Sequence, residues 1–197
     1  MLARMDWAER YAEENTPWDC GGPHPELVLR FDDLRLAAGA RAFVPGCGRG
    51  HDALYLAERG LVVTAVDLVD SLAEQVAARL APHGGTFLAG DALGLELAPF
   101  DLMFEHTFFC ALDPAQRPAW GALAGRSVRP GGLLAALVFP GNRPLELGGP
   151  PWLTRTGDLA AALGPRFELE TDEPAAQPVP RREWEERWAV FRRSLQP

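Results

Sequence analysis

The feature that most constrains this chain is a strand pattern at Arg41-Ala42-Phe43-Val44-Pro45 that runs straight into Gly46-Cys47-Gly48-Arg49-Gly50. A helix pattern from His51 to Arg59 follows, Gly60 ends it, and an apolar strand from Leu61 to Val66 finishes at Asp67. A strand, a glycine loop, a helix and an acid closing the next strand form a parallel βαβ unit that binds a nucleoside-containing cofactor at the carboxyl edge of its sheet. The glycines let backbone approach the ligand, and the carboxylate accepts from two ribose hydroxyls. In the fingerprint G-x-G-x-x-G the third glycine makes room over a pyrophosphate; counted from Gly46, that position is His51. A large residue there argues against NAD or FAD and for a nucleoside cofactor without a diphosphate. On their own, the glycines are also compatible with a plain tight turn.

The alternation of strand and helix patterns continues along the chain, as in an α/β protein. A helix is expected from Asp70 to Leu80, a strand at Thr86 to Ala89 ending in Gly90-Asp91, and a strand at Phe100 to Phe104. A helix from Pro114 to Val128 is followed by Gly131-Gly132 and a buried strand from Leu133 to Phe139. Residues 140–151, dominated by Pro and Gly, read as a lid loop. A helix near Gly157 to Leu163 and strand candidates at Arg166 to Thr171 and Glu183 to Phe191 complete the pattern. With no repeat and no second domain visible, one domain over 1–197 is expected, residues 1–40, more aromatic, acidic and Pro-rich than the rest, forming an N-terminal cap segment. That segment carries Trp7, Tyr11 and Trp18 ahead of a helix pattern from Pro25 to Leu36. Its aromatics fold over a pocket or pack as core; the residues alone leave both open. Asp91 likewise accepts from an adenine amino group or caps a turn.

Composition narrows the function. The 197 residues carry 19 basic and 27 acidic side chains, a formal charge of −8, and no long basic stripe, so nucleic acid is not expected as a partner. All 19 basic residues are arginine, which removes lysine Schiff-base and P-loop chemistry. A chain this long buries roughly 70% of its unfolded surface and needs no staples. Its three cysteines, Cys20, Cys47 and Cys110, lie far apart with no zinc spacing, pointing to a reducing, cytoplasmic setting and no metal. The start, Met1-Leu2-Ala3-Arg4-Met5-Asp6, has charge where a signal peptide needs an apolar stretch, and Leu133 to Phe139 is too short to span a membrane.

Longer motifs add a resemblance. Val44-Pro45-Gly46-Cys47-Gly48-Arg49-Gly50-His51-Asp52, with Thr16-Pro17-Trp18-Asp19 upstream, resembles the thiopurine S-methyltransferase superfamily, especially its plant and microbial thiol/halide methyltransferases. Phe100 to Phe104 running into Phe108-Phe109-Cys110-Ala111-Leu112, Arg117-Pro118-Ala119-Trp120, Arg129-Pro130-Gly131-Gly132 and Gly148-Gly149-Pro150-Pro151 agree in the same order. The resemblance implies a Rossmann-like class I methyltransferase fold: a seven-stranded, mostly parallel sheet whose last strand is antiparallel, helices on both faces, and an N-terminal helical cap. It implies S-adenosylmethionine as cofactor, with S-adenosylhomocysteine as product.

Carried over by position, Trp7, Tyr11 and Trp18 would enclose the methionine part of the cofactor. Gly46 and Gly48 would form its loop, Asp67 would hold the ribose, and Asp91 with Ala92 would meet the adenine. His106 stands where relatives have tyrosine or arginine, implying a cofactor contact or a general base; a structural histidine is the alternative. Phe108, Phe109, Pro151 and Trp152 are candidates for an acceptor pocket, and Glu105 for a loop-positioning acid. Cys47 and Cys110 read as packing residues, and Trp120, Trp184 and Trp188 as core. The implied activity is methyl transfer to a small soft nucleophile: a thiol, a thiopurine-like heterocycle, hydrosulfide or a halide. The alternatives are a catalytically inactive cofactor-binding module and a selenium or tellurium methyltransferase. The expected partner is a small-molecule or inorganic anion acceptor, and the expected state a monomer.

Overall fold

The computed structural model describes residues 5–195; Met1–Arg4, which the signal-peptide reading used, lie outside them. The central strand is β1 (Arg41–Pro45), whose Ala42, Phe43, Val44 and Pro45 are all buried. It is followed by α3 (His51–Glu58) and then β2 (Val62–Asp67), which pairs parallel to β1. Two short helices, α1 (Trp7–Ala12) and α2 (Pro25–Arg30), precede this unit. After it come α4 (Ala73–Leu80), β3 (Thr86–Ala89), β4 (Phe100–His106), α5 (Arg117–Ser127), β5 (Val128–Val138), α6 (Thr156–Leu163), β6 (Phe167–Pro174) and β7 (Arg187–Arg193).

The sheet runs β3-β2-β1-β4-β5-β7-β6, with β7 antiparallel to both its neighbours. This is the Rossmann-like seven-stranded arrangement that the resemblance implied. Strand order reverses between β1 and β4, so the carboxyl ends of these strands border a crevice, the usual ligand position in open α/β sheets. One apolar cluster packs α3 and α4 on one face; a second packs Trp120, Leu123 and Ala124 of α5 with Leu159 and Leu163 of α6 on the other. The α5–α6 approach is so close that a Cβ on Gly121 would lie 1.9 Å from the Ala162 carbonyl oxygen, so only glycine fits there.

The three largest departures from the expected boundaries are at β5, α2 and β7. β5 begins at Val128 instead of Leu133: Val128 pairs with Phe100 before the register shifts and Leu133 pairs with Leu102. Gly131, at φ +76°, absorbs the extra residues, and Arg129 is tied to Asp101 at 2.6 Å. The helix expected through Leu36 ends as α-helix at Arg30 and tightens into a 3₁₀ turn at Phe31–Leu34. The strand expected from Glu183 begins only at Arg187, because Pro178 and Pro180 bring no N–H to a ladder and the Glu186 carboxylate takes the Val179 N–H at 2.6 Å. Residues 175–186 are therefore free to arch across the end of the sheet. Among the described residues, no helix is long and apolar enough to cross a membrane.

Candidate active site

A cavity of about 470 Å³ opens at the carboxyl ends of β1, β2 and β4. Its wall is backbone-built. Gly46 sits at φ +61°, and a Cβ there would lie 2.7 Å from the Phe108 ring, so the peptide itself faces the cavity. The Asp67 carboxylate accepts from Gly48 N–H at 2.8 Å and Val69 N–H at 3.0 Å, tying the glycine loop to the end of β2. Burial raises the Asp67 pKa, and these backbone donors oppose it. Gly90 and Ala92 continue the wall. Between them, the Asp91 carboxylate accepts from Leu93 N–H at 3.0 Å and caps a 3₁₀ turn. The turn-cap reading of Asp91 therefore describes its side chain, and its neighbours supply the surface.

The acceptor side is shaped by Glu105. Its buried carboxyl accepts from Phe108 N–H at 3.0 Å, Phe109 N–H at 2.9 Å and the Trp120 indole N–H at 3.2 Å. Burial pushes its pKa up to about 7, against the pull of these donors. The turn it organises contains Thr107 at φ +62°, a strained conformation for a β-branched residue, and delivers Phe108 to the cavity. Phe109 instead turns into the core, edge-on to Trp120 at 4.7 Å, and so leaves the pocket set. Pro151 lines the cavity with Pro150; Trp152 does not. Its indole packs over Gly149, and its N–H donates to the Cys110 carbonyl at 2.7 Å, anchoring the lid segment.

The roof is side-chain-built. Trp7, Tyr11 and Trp18 line the cavity together, Trp18 meeting Trp7 at 5.3 Å and Tyr11 at 5.8 Å, both edge-on. The Trp18 indole N–H donates to Tyr11 Oη at 3.1 Å, and burial raises the phenol's pKa, keeping it neutral. Of the two readings of these aromatics, the structure realises the pocket one. Arg10 lies 5.4 Å from the Trp18 ring. The 175–186 arch adds Arg181, Arg182, Glu183 and Trp184, none of which the sequence had singled out for the site. Trp184 had read as core; it lines the cavity, held by Arg143 at 4.9 Å, while Trp120 and Trp188 are core as expected. The paired prolines at 178 and 180 were the available signal that this stretch leaves the sheet.

His106 is a correction. It is not among the residues lining the main cavity but lines a small adjoining pocket of about 40 Å³ that shares Tyr11, Trp18, Gly46 and Thr107 with it. Both ring nitrogens are engaged: Nδ1 faces Asp52 Oδ2 at 2.7 Å and Nε2 faces Arg182 Nη2 at 2.9 Å. Because a guanidinium only donates, Nε2 accepts and Nδ1–H donates to Asp52. No lone pair is left to take a proton from an acceptor in the cavity. The cysteines behave as expected of packing residues: burial pushes the Cys110 thiol up to about 12 and Cys47 well above its ordinary value.

Fold and site together define a class I S-adenosylmethionine-dependent methyltransferase. Among solved structures, the Burkholderia thailandensis 1,6-didemethyltoxoflavin-N1-methyltransferase with bound S-adenosylhomocysteine matches with a TM-score of 0.77 at 23% identity, over 97% of this chain and 87% of that one. The N-methyltransferase NodS from Bradyrhizobium japonicum, also bound to S-adenosylhomocysteine, gives a TM-score of 0.74 at 18% identity, over 94% of this chain and 96% of that one. These likenesses concern the fold. The particular family is more specific: the thiopurine S-methyltransferase profile matches residues 2–194, and the chain belongs to that family. It is 34% identical to the "Probable thiol methyltransferase 2" of Arabidopsis thaliana, over 81% of this chain and 71% of the relative. It is 32% identical to the same plant's "Thiocyanate methyltransferase 1", over 92% and 81%. A Pseudomonas fluorescens thiopurine S-methyltransferase is 29% identical over 85% and 84%.

Proposed function

We propose that the protein transfers the methyl group of S-adenosylmethionine to a small, soft nucleophile that enters already ionised, such as thiocyanate, hydrosulfide, iodide or an acidic thiol. The observation that carries this is the makeup of the cavity: three arginines, Arg10, Arg181 and Arg182, two carboxylates, Asp67 and Glu183, and no histidine among the described lining residues. Among the described lining residues no histidine offers itself as a base, and of the two carboxylates Asp67 is tied to the glycine loop. An anion needs no base.

The residues present fit the donor. Aromatic faces at Trp7, Tyr11 and Trp18 suit a sulfonium, each attracting positive charge by about 0.5–2 kcal/mol. Asp67 keeps lone pairs for ribose hydroxyls, Gly46 offers backbone, and Ala92, which lines the cavity, would offer its N–H to an adenine ring nitrogen. Once bound, S-adenosylmethionine supplies a methyl carbon on positively charged sulfur, open to in-line displacement. The protein's part is to draw an anion in with arginine, exclude water with apolar walls, and hold the partners in line. Residues 140–151 act as the lid and 1–40 as the cap in this reading. Three separate free cysteines support work in a reducing cytoplasm, and the enclosed site supports a monomer.

The test is turnover with purified protein and S-adenosylmethionine across thiocyanate, iodide, hydrosulfide, thiophenols, phenols and amines. Soft anions are expected to be methylated, with phenols and amines inert. Donor binding without turnover of any soft anion rejects the reading and leaves an inactive cofactor-binding module.

A further inference from the structure

Five charged or ionisable side chains from four parts of the chain close into a buried ring behind the glycine loop. Asp52, in the first turn of α3, accepts from the His24 backbone N–H at 2.7 Å through one oxygen and from His106 at the end of β4 through the other. His24 faces Glu186 at 3.3 Å, Glu186 pairs with Arg182, and Arg182 donates back to His106 Nε2 at 2.9 Å. The His24 and His106 rings also meet edge-on at 4.9 Å. Arg182 does one thing more: its Nη2 donates to the Trp18 carbonyl at 3.2 Å and reaches Cys20 Sγ at 3.6 Å. The arch over residues 175–186 is thus fastened to the aromatic segment that roofs the cavity.

We propose that His106 is a positioning residue: oriented by Asp52, its neutral ring accepts from Arg182, and through Arg182 it holds the Trp18 segment closed over the donor site. The ring shares this guanidinium with the Glu186 carboxylate, the Trp18 carbonyl, the Cys20 sulfur and the face of Phe139 at 4.7 Å. Neutrality is what makes the contact. A protonated ring would turn an N–H toward the guanidinium, two donors and two positive charges face to face. Burial, together with the positive charge of Arg182 and of His24, keeps the His106 pKa below its ordinary value, against the pull of Asp52. The fastening is therefore intact at neutral pH and is lost as pH falls through the depressed pKa of His106.

The proposal rests on the donor reading only in its last clause, and the experiment separates the two. Hydrogen exchange of the 5–22 segment is followed in the free, full-length protein in steps from about pH 7.5 down to the onset of acid unfolding, corrected for intrinsic rates, alongside titration with S-adenosylhomocysteine. Losing a hydrogen bond from a charged donor predicts that His106→Leu weakens both protection and affinity about tenfold at neutral pH. His106→Gln, which keeps an acceptor but has no titrating ring, is expected to restore both and to remove the acid sensitivity seen in wild type. Arg182→Gln, which also removes the Trp18 and Glu186 contacts, is expected to lose at least as much as His106→Leu, and the double variant no more than Arg182→Gln alone. Unchanged protection in His106→Leu and Arg182→Gln, equal loss in His106→Gln, or a wild-type segment indifferent to pH overturns the proposal. Wild-type protein with the expected exchange pattern but no S-adenosylhomocysteine binding counts against the donor reading instead, and leaves the fastening standing.

Discussion

The wall and the roof of the cavity are built by different means. The wall uses backbone: Gly46 against Phe108, Asp67 on the N–H groups of Gly48 and Val69, and Glu105 on those of Phe108 and Phe109. The roof uses long side chains from distant parts of the sequence: Trp18 on Tyr11, Arg182 on Trp18 and His106, Arg143 over Trp184. Backbone geometry set by a strand and a short turn tolerates little adjustment, whereas side chains that meet across 162 residues, as His24 and Glu186 do, can separate without unfolding the sheet. The wall is thus suited to recognising the donor, and the roof to admitting and covering it.

This contrast breaks first at Glu105. Replacing it with Leu leaves three buried N–H groups without an acceptor, and a loss of about 3 kcal/mol of unfolding free energy is expected in denaturant titrations at mildly acidic pH. A smaller loss means the Thr107–Phe109 turn is held by packing. Asp67→Ala comes next. It releases the glycine loop and removes the proposed ribose acceptor, and S-adenosylhomocysteine is expected to bind about 100-fold more weakly by calorimetry, about 2.7 kcal/mol. Trp18→Ala should cost less, about tenfold in donor affinity, because one aromatic face is removed while the wall stays intact. Equal effects at Asp67 and Trp18 would erase the distinction between wall and roof.

The smallest effect is in pH dependence, where the two regions carry opposite signs. The Glu105 pKa is raised to about 7, so its contribution to stability is full below the ordinary carboxylate range and is lost as pH rises through about 7. The Glu186 pKa is different: burial alone would raise it, but the hydrogen bond from His24, the Arg182 charge and the Val179 N–H hold it at about 2. Its contribution is present above the ordinary glutamate pKa and is lost as pH falls toward about 2. Between pH 6 and 8 the Glu105 term should lower stability by roughly 1 kcal/mol, and Glu105→Gln should flatten that slope while leaving the acid limb set by Glu186. A slope unchanged by Glu105→Gln would show that another group titrates there.

The wall was almost wholly legible in the sequence. Strand, glycine loop, helix and terminal acid were read at 41–67, and β1, α3 and β2 fall within a residue of expectation because each is specified by local pattern. The chain's membership in its family was legible too, since motifs in fixed order cover nearly its full length. The roof was legible only in part. Trp7, Tyr11 and Trp18 came through a resemblance; Arg182 and Trp184 were missed because they lie in an irregular arch, Arg182 in no expected element and Trp184 in a stretch read as strand and core.

His106 marks the boundary between the two kinds of information. The strand pattern stopped at Phe104 whereas β4 runs on to His106, and the nearness of His106 to the site came through the resemblance. Its role did not follow, since an imidazole takes its tautomer and charge from whatever faces each nitrogen. Those partners are Asp52 and Arg182, 54 residues before it and 76 after it. The sequence by itself determined the sheet and the glycine loop, because backbone conformation and apolar period are local properties, and its ordered motifs carried the family. Only the tertiary structure decided which charges meet behind the loop and what covers the cavity, because electrostatic partners are set by distance in space and not along the chain.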